Sequence, residues 1–281
     1  MNKIGSIACL GPANTHSDIV SRSYFSDSKP IVNLAPNICA VFAMVAMEDG
    51  VDAGLVPFQN LLEGDVNATL DALKDFPDVK IVAEHCAPIH HCLIGRKELD
   101  EDNLDRRFSV YSHPQALAQT SRYFAGIEVA NSTRFSFFDT NSTAEAVRIV
   151  AANRCSDFLA VGTREAALDH GLKIIDENIE DDPDNETLFL EIRKEDGGLP
   201  MCERSYFLFR PENVPNQLGA ICSVFGEIGV NITFVQSRPT RKAIDDSIIF
   251  LRAGVSRQGK LFSSLKRKLD SLKIPYRVLS S

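Results

Sequence analysis

The spacing of apolar residues changes period along this chain, and that change constrains the architecture more than any single motif does. Up to residue 196, short apolar runs alternate with stretches of helical spacing. Residues 4–10, 53–57, 79–84, 108–112, 158–162 and 188–192 read as strands, and residues 17–25, 37–48, 114–124, 143–152 and 164–170 as helices. Such alternation specifies an α/β domain with mainly parallel strands, which binds ligands at the carboxyl ends of its strands. From residue 201 the rhythm differs: strands at 204–210, 231–237, 247–253 and 275–279 and helices at 217–228 and 260–272 give the order βαββαβ of a ferredoxin-like module. The chain therefore divides into an α/β domain over residues 1–196 and a smaller domain over residues 201–281. The expected boundary is at Asp196-Gly197-Gly198-Leu199-Pro200, where Gly and Pro interrupt both patterns.

Charge follows the same division. Net charge is −8, but residues 201–281 hold 13 Lys and Arg against 6 Asp and Glu, so the first 200 residues carry −15 and the remainder +7. An acidic total with no base-stacking aromatic pattern argues against a nucleic-acid partner, and the basic module is expected to complement the acidic domain across a contact. No apolar run approaches the roughly 20 residues of a membrane span, and residues 4–10 are too short for a signal-peptide core. With 44% hydrophobic residues and seven scattered cysteines lacking any C-x-x-C pair, the expectation is a cytoplasmic globular protein with reduced thiols.

Several strand ends of the α/β domain run into helices through capping residues: Asn14-Thr15-His16-Ser17, Ser112-His113-Pro114, Asn141-Ser142-Thr143 and Gly162-Thr163-Arg164. Each helix start offers unsatisfied backbone N–H groups and a partial positive charge, so a convergent set could hold a small anionic acid in a domain whose own charge repels it. No G-x-S-x-G elbow, Walker A sequence or G-x-G-x-x-G fingerprint occurs. The cluster His85-Cys86 with His90-His91-Cys92 lacks metal-ligand spacing and reads as core or hinge.

Taken in order, Gly11-Pro12 and Thr15, Val56-Pro57-Phe58-Gln59-Asn60 with Glu63-Gly64, Tyr111-Ser112-His113-Pro114-Gln115 with Gln119, Ser142-Thr143-Ala144-Glu145, Asn185-Glu186-Thr187-Leu188-Phe189, and Gly229-Val230-Asn231-Ile232-Thr233 followed by Gln236-Ser237-Arg238-Pro239 resemble the prephenate dehydratases that carry a C-terminal ACT regulatory domain. The resemblance covers nearly the whole chain. It implies a periplasmic-binding-protein-like catalytic region of two subdomains around a cleft, followed by the ACT domain, and a lyase of phenylalanine biosynthesis that needs no cofactor and no metal. It implies Thr187, Asn60, Ser112 and Gln119 as catalytic positions, Thr187 as hydrogen-bond donor to the leaving hydroxyl, and Thr15, Ser17, Ser142, Thr143 and Phe189 as substrate-binding positions. It also implies an allosteric phenylalanine site at Asn216, Gln217, Leu218, Gln236 and Arg238, and assembly as a homodimer or homotetramer.

The chain departs from the family's patterns at identifiable places. The usual Thr-Arg-Phe is Thr187-Leu188-Phe189, which removes a guanidinium that could orient the site. Asn131-Ser132-Thr133-Arg134-Phe135 spells that motif in the wrong position and is refused. Glu-Asn-Ser is Gln59-Asn60-Leu61, and Gly-Thr-Phe-Ser is Asn14-Thr15-His16-Ser17. In the ACT segment Asn216 replaces a glycine whose left-handed backbone Asn can adopt. Leu188, Gln59 and Leu61 leave a non-aromatising prephenate decarboxylase open beside the dehydratase, arogenate remains open as substrate, and a catalytically silent small-molecule sensor is the third reading.

Overall fold

A computed structural model of the chain describes residues 4–47, 50–97, 107–131, 133–195, 199–240, 243–244 and 246–281. The expected helix end at Glu48, the boundary residues Asp196-Gly197-Gly198 and Ser132 of the refused motif lie outside them. Two α/β lobes and a third, ferredoxin-like unit make up the fold. The first lobe is a sheet of β1 (Ser6–Leu10), β2 (Ile31–Ala35), β3 (Ala53–Asn60), the short β4 (Gly64–Asp65), β5 (Val79–Pro88) and β11 (Glu186–Lys194), in the order β2-β1-β3-β11-β5 with β4 on β3. Helices α1 (His16–Tyr24), α2 (Ile38–Met47) and α3 (Asn67–Asp75) belong to this lobe. The second lobe orders β10 (Lys173–Glu177), β6 (Cys92–Gly95), β9 (Phe158–Gly162), β7 (Arg107–Ser112) and β8 (Arg134–Asp139) in a sheet, with α4 (Pro114–Ala118), α5 (Ser121–Asn131), α6 (Thr143–Ala152) and α7 (Arg164–Asp169).

The expectation of mainly parallel strands holds by direction, since apart from the short β4 four of the five strands in each sheet run the same way, and one strand in each runs against them. β1 runs parallel to β2 and β3, but β11 is antiparallel to its neighbours β3 and β5. Likewise β7 is parallel to β8 and β9, whereas β6 is antiparallel to β9 and β10. The antiparallel strands are the ones by which the chain passes between lobes: β6 follows directly on β5, and β11 returns after the second lobe has been built. Their direction is set by where the crossing chain enters and not by a helical crossover within one sheet.

Local chemistry explains two further features. Pro57 has no N–H to give to the ladder, and the β3–β11 register shifts beside it, with Phe189 opposite Pro57 but Leu188 opposite Gln59. The helix expected over residues 114–124 is broken. Thr120 Oγ1 donates back to the Ala116 carbonyl at 2.8 Å, and the amides of Arg122 and Tyr123 donate to the Asp181 carboxylate at 3.0 and 3.3 Å, so α5 starts afresh on a cap supplied from far along the chain.

The C-terminal unit comprises β12 (Ser205–Phe209), α8 (Gln217–Ile228), β13 (Ile232–Pro239), β14 (Ser247–Ala253), α9 (Lys260–Ser271) and β15 (Tyr276–Val278), with sheet order β13-β14-β12-β15. This is the expected ferredoxin-like topology. One face of its sheet is covered by the two helices, through Phe207, Phe209, Leu251, Ile221, Phe225 and Leu265. The other face, with Tyr206, Leu208, Phe234 and Phe250, shares a core with Phe58, Leu188, Leu190 and Leu73 of the first lobe. Phe58 lies at the centre of that seam, its ring 5.6 Å from Tyr206 and 5.0 Å from Phe234. Ion pairs border the seam: Arg204–Glu84 at 2.7 Å and Arg238–Asp71 at 2.9 Å, while the Tyr206 hydroxyl donates to Glu84. Beyond β15 the chain covers the outer edge of β5, where Ile81 donates to the Leu279 carbonyl and accepts from the Ser281 amide, both at 2.9 Å. Among the described residues no helix is long and apolar enough to cross a membrane.

Candidate active site

A cavity of about 370 Å³ lies between the two lobes at the carboxyl ends of β1, β3 and β7. The first lobe lines it with Thr15, His16 and Ser17 at the start of α1, Asn60 at the end of β3, Glu63, and Thr187 and Phe189 on β11. The second contributes His91, His113 and Gln115, Gln119, and Asn141, Ser142 and Thr143 at the start of α6. Eight of the nine residues anticipated as catalytic or substrate-binding thus meet here: Thr187, Asn60, Gln119, Thr15, Ser17, Ser142, Thr143 and Phe189. Ser112 does not. It is fully buried, and its hydroxyl donates to the Val161 carbonyl at 2.7 Å, tying β7 to β9 beneath the site.

Asn60 organises the first-lobe wall. Its Oδ1 accepts from the Leu62 and Glu63 amides, each at 3.0 Å, which fixes the turn after β3. Its Nδ2 donates to Thr187 Oγ1 and Asn185 Oδ1, each at 2.9 Å. Thr187, only 7% exposed, therefore has its oxygen occupied as an acceptor, while its hydroxyl proton finds no acceptor among the described residues. A cross-strand pair, Thr187 opposite Asn60, holds this geometry in the sheet itself.

The helix starts behave as their sequences imply. Thr15 caps α1 by accepting from the Asp18 amide, and Asp18 Oδ2 accepts from the Asn14 amide at 2.8 Å. Ser142 caps α6 by accepting from the Glu145 amide at 3.0 Å, and Glu145 reaches back to the Asn141 amide at 3.0 Å, a reciprocal capping arrangement. The remaining first-turn amides are the orphan donors every helix start leaves. The nine-residue α1 and ten-residue α6 bring such donors to the cavity. α6 reaches it because Gly162 leaves room: a Cβ there would lie 2.6 Å from Val147 Cγ2. α4 and α7 are single short turns, and Thr163, capping α7, donates to the Asn14 carbonyl across the lobes at 2.8 Å without lining the cavity.

The second-lobe wall carries a chain of polar contacts that motif reading did not assemble. His91 Nε2 lies 2.9 Å from Gln119 Oε1, and Gln119 Nε2 donates to Glu63 Oε1 at 2.7 Å, joining the two lobes across the cavity. Because an ionised carboxylate only accepts, the Gln119 amide faces Glu63 and its oxygen accepts from His91 Nε2–H. Burial raises the Glu63 carboxyl above its ordinary range, opposed by the Gln119 hydrogen bond and by His113. Desolvation lowers the pKa of both imidazoles, buried His91 and half-buried His16, taking His16 down to about 3 with a further contribution from His91 and His90, so both rings are neutral near pH 7. Among the described residues lining the cavity none is Lys or Arg.

The departures from family pattern sort cleanly by position. Leu188 points away from the cavity into the core shared with the C-terminal unit, so the missing guanidinium removes nothing from this wall; that expectation is corrected. Gln59 bonds Asp65, Leu61 is 60% exposed, and neither lines the cavity. Arg134 and Phe135 of the refused motif sit on β8 at the sheet edge. Only position 16 brings an altered side chain into the cavity. His85 and His91, grouped in the sequence, separate: His85 packs against Tyr24 at 4.8 Å, while His91 faces the site.

The anticipated regulatory residues lie elsewhere. Asn216 adopts φ of 67° at the start of α8, with its side chain turned over Gly219. Leu218 is exposed and Gln236 half-buried, while Arg238 is engaged with Asp71 of α3.

A two-lobed α/β fold whose interlobe cleft presents helix starts, neutral donors and one pinned hydroxyl defines a binder or converter of small acids. The comparisons narrow this. The family model for prephenate dehydratase matches residues 7–197, and the chain belongs to that family. It is 32% identical to prephenate dehydratase of Methanocaldococcus jannaschii, over 93% of this chain and 89% of the relative. Among solved structures it resembles prephenate dehydratase of Arthrobacter aurescens in complex with L-Phe, with TM-score 0.83, 24% identity and coverage of 98% of this chain and 89% of that one. It also resembles GqqA, a quorum quenching acylase, with TM-score 0.82, 22% identity and coverage of 98% and 96%. Two names on one architecture show that fold alone does not decide activity.

Proposed function

We propose that this chain converts prephenate to phenylpyruvate, carbon dioxide and water. The single observation that carries this reading is the Thr187 hydroxyl, pinned as acceptor by Asn60 Nδ2 at 2.9 Å and free to donate into the cleft. In the reaction the bond from the ring to its carboxylate breaks, its electron pair completes the aromatic ring, and the ring C–O bond breaks with the hydroxyl leaving as water after taking one proton. Aromatisation supplies the driving force, so the protein's task is to hold the dianion and to stabilise charge building on the departing oxygen. Thr187 O–H serves that oxygen as a positioned donor. An alcohol is too weak an acid to deliver the proton early, so the hydrogen bond strengthens as the C–O bond lengthens. Orphan amides of α1 and α6 serve the carboxylates, Ser17 and Thr143 standing at those helix starts, and Phe189 gives the ring an apolar wall.

Incubating the purified chain with prephenate and identifying the product tests this. Phenylpyruvate supports the reading; a hydroxylated, non-aromatic acid means decarboxylation alone, and no conversion means a sensor. Arogenate in place of prephenate, assayed in parallel, decides between keto and amino substrate. The ferredoxin-like unit, by the same reading, is an ACT domain that binds phenylalanine near Asn216, Gln217, Leu218, Gln236 and Arg238 and pairs the chain into a dimer or tetramer. Unchanged activity and no binding heat on adding phenylalanine reject the first part, and a monomeric mass by light scattering rejects the second. Seven free cysteines fit a reducing, cytoplasmic setting.

A further inference from the structure

The cleft must take a doubly negative acid, yet among the described residues lining it there is no Lys or Arg and there is one carboxyl, Glu63. Two imidazoles that line the cavity meet across the lobes in edge-to-face contact, His16 of the first lobe and His91 of the second, ring centroids 5.3 Å apart at 78°. His91 is 2% exposed, and its Nδ1 finds no hydrogen-bond partner among the described residues; the same holds for His16 Nε2. A buried polar atom without a partner costs stability and persists where function uses it. His91 Nε2–H already donates to Gln119 Oε1, so the unpartnered Nδ1 carries the lone pair. A proton placed on Nδ1 yields an imidazolium whose second N–H is already satisfied. His16 stands where the family's pattern has a phenyl ring, and it is the one departure that reaches the cavity.

We propose that the His16–His91 pair is the subsite for one carboxylate of the substrate, and that His91 becomes cationic only as that carboxylate binds, taking a proton from solvent onto Nδ1. This rests on the reading of the substrate as prephenate. The bound carboxylate accepts from His91 Nδ1–H, while His16 stays neutral and donates from Nε2–H. The titratable groups facing the pair are His90 beside it, Glu180, which pairs with His90 Nδ1 at 2.7 Å and accepts from the His91 amide at 2.9 Å, Glu63 through Gln119, and His113 near Glu63. In the free protein burial keeps both rings uncharged. An anion against the ring reverses the balance, because an adjacent opposite charge favours the protonated form. By linkage, uptake of a proton on binding means that affinity falls as pH rises. The subsite is thus a cation that exists only in the complex.

Calorimetric titration of prephenate into the Thr187→Ala chain at pH 8, once in phosphate and once in Tris, reads the protons exchanged. The expected result is a heat that differs between buffers by the amount due to about one proton taken up per site, abolished when His91→Gln is added. Kinetics of the wild-type chain give the second readout. KM should climb toward about tenfold per pH unit above neutrality, while His91→Gln gives a high and pH-independent KM and His16→Phe raises KM at pH 7. Buffer-independent heat, equal proton uptake with His91→Gln, or no binding heat at all overturns the proposal. Buffer-dependent heat with no turnover by the wild-type chain leaves the subsite standing and removes the dehydratase reading, whereas turnover with a flat KM profile does the reverse.

Discussion

The seam beneath the C-terminal sheet and the cleft between the lobes both confront negative charge, and they meet it by opposite means. At the seam, carboxylates of the acidic lobe are answered by guanidinium groups: Glu84 by Arg204, and Asp71 by Arg238 through two contacts at 3.3 and 2.9 Å. In the cleft an incoming anion finds peptide amides, hydroxyls, the uncharged imidazoles of His16 and His91, and no Lys or Arg among the described lining residues. The difference follows from what each region must do. A permanent cation in the cleft would hold substrate and product carboxylates alike, and the product keeps one of its two, so neutral donors allow release. The seam releases nothing, and bidentate pairs there fix one domain against another.

The largest effect that would sharpen this contrast is Thr187→Ala. It should lower kcat for phenylpyruvate formation about 10²- to 10⁴-fold, followed by the product's absorbance, while Thr187→Ser recovers much of it; an Ala variant of full activity removes the hydroxyl from the mechanism. Next comes the seam: Arg238→Ala leaves the partly buried Asp71 carboxylate without its guanidinium and should cost about 1–3 kcal/mol in urea unfolding, without altering which product forms. Ser142→Ala removes the cap of α6 and should cost about 1 kcal/mol of stability and raise KM, since the amides it orders face the cleft. Another effect appears only on changing pH. His16 binds its proton at pH 6.5 when unfolded and at about 3 when folded, so the unfolded chain takes up the extra proton and stability falls as pH drops across that window. His16→Phe should flatten that fall. Glu63 has the opposite sign: its raised folded value gives stability that is full below the ordinary 4.5 and lost as pH rises through the folded value, so Glu63→Gln should lessen the loss toward neutral pH.

Sequence pattern revealed the parts of this molecule that rest on local rules. α6, α8, β9 and β14 fall where spacing and caps put them, because each has a clear periodic face and a terminating signal. β2, β6, β8 and β10 were not anticipated, nor was α3. β6 is four residues buried on both faces and has no alternation to read, and β8, whose first two residues belong to the refused motif, is mostly exposed and breaks its alternation at Phe137-Phe138. The break between α4 and α5 depends on Asp181, a partner that no local window contains. At the site, Thr187, Asn60 and Gln119 were legible through motif resemblance, whereas the meeting of His16 and His91 was not, since residues 75 positions apart share a cavity only once the lobes are built. Leu188 shows the reverse error: a motif change looked consequential until strand alternation turned it to the far face.

β11 lies between β3 and β5 at the heart of the first sheet, yet the chain supplies it only after the entire second lobe has been laid down. A growing polypeptide emerging from the ribosome therefore holds a first lobe split by a missing central strand while the second lobe, contiguous in sequence, is free to fold at once. Thr187 sits on the strand that fills the gap, so a chain ending before it has neither a finished first sheet nor the hydroxyl that faces the cleft.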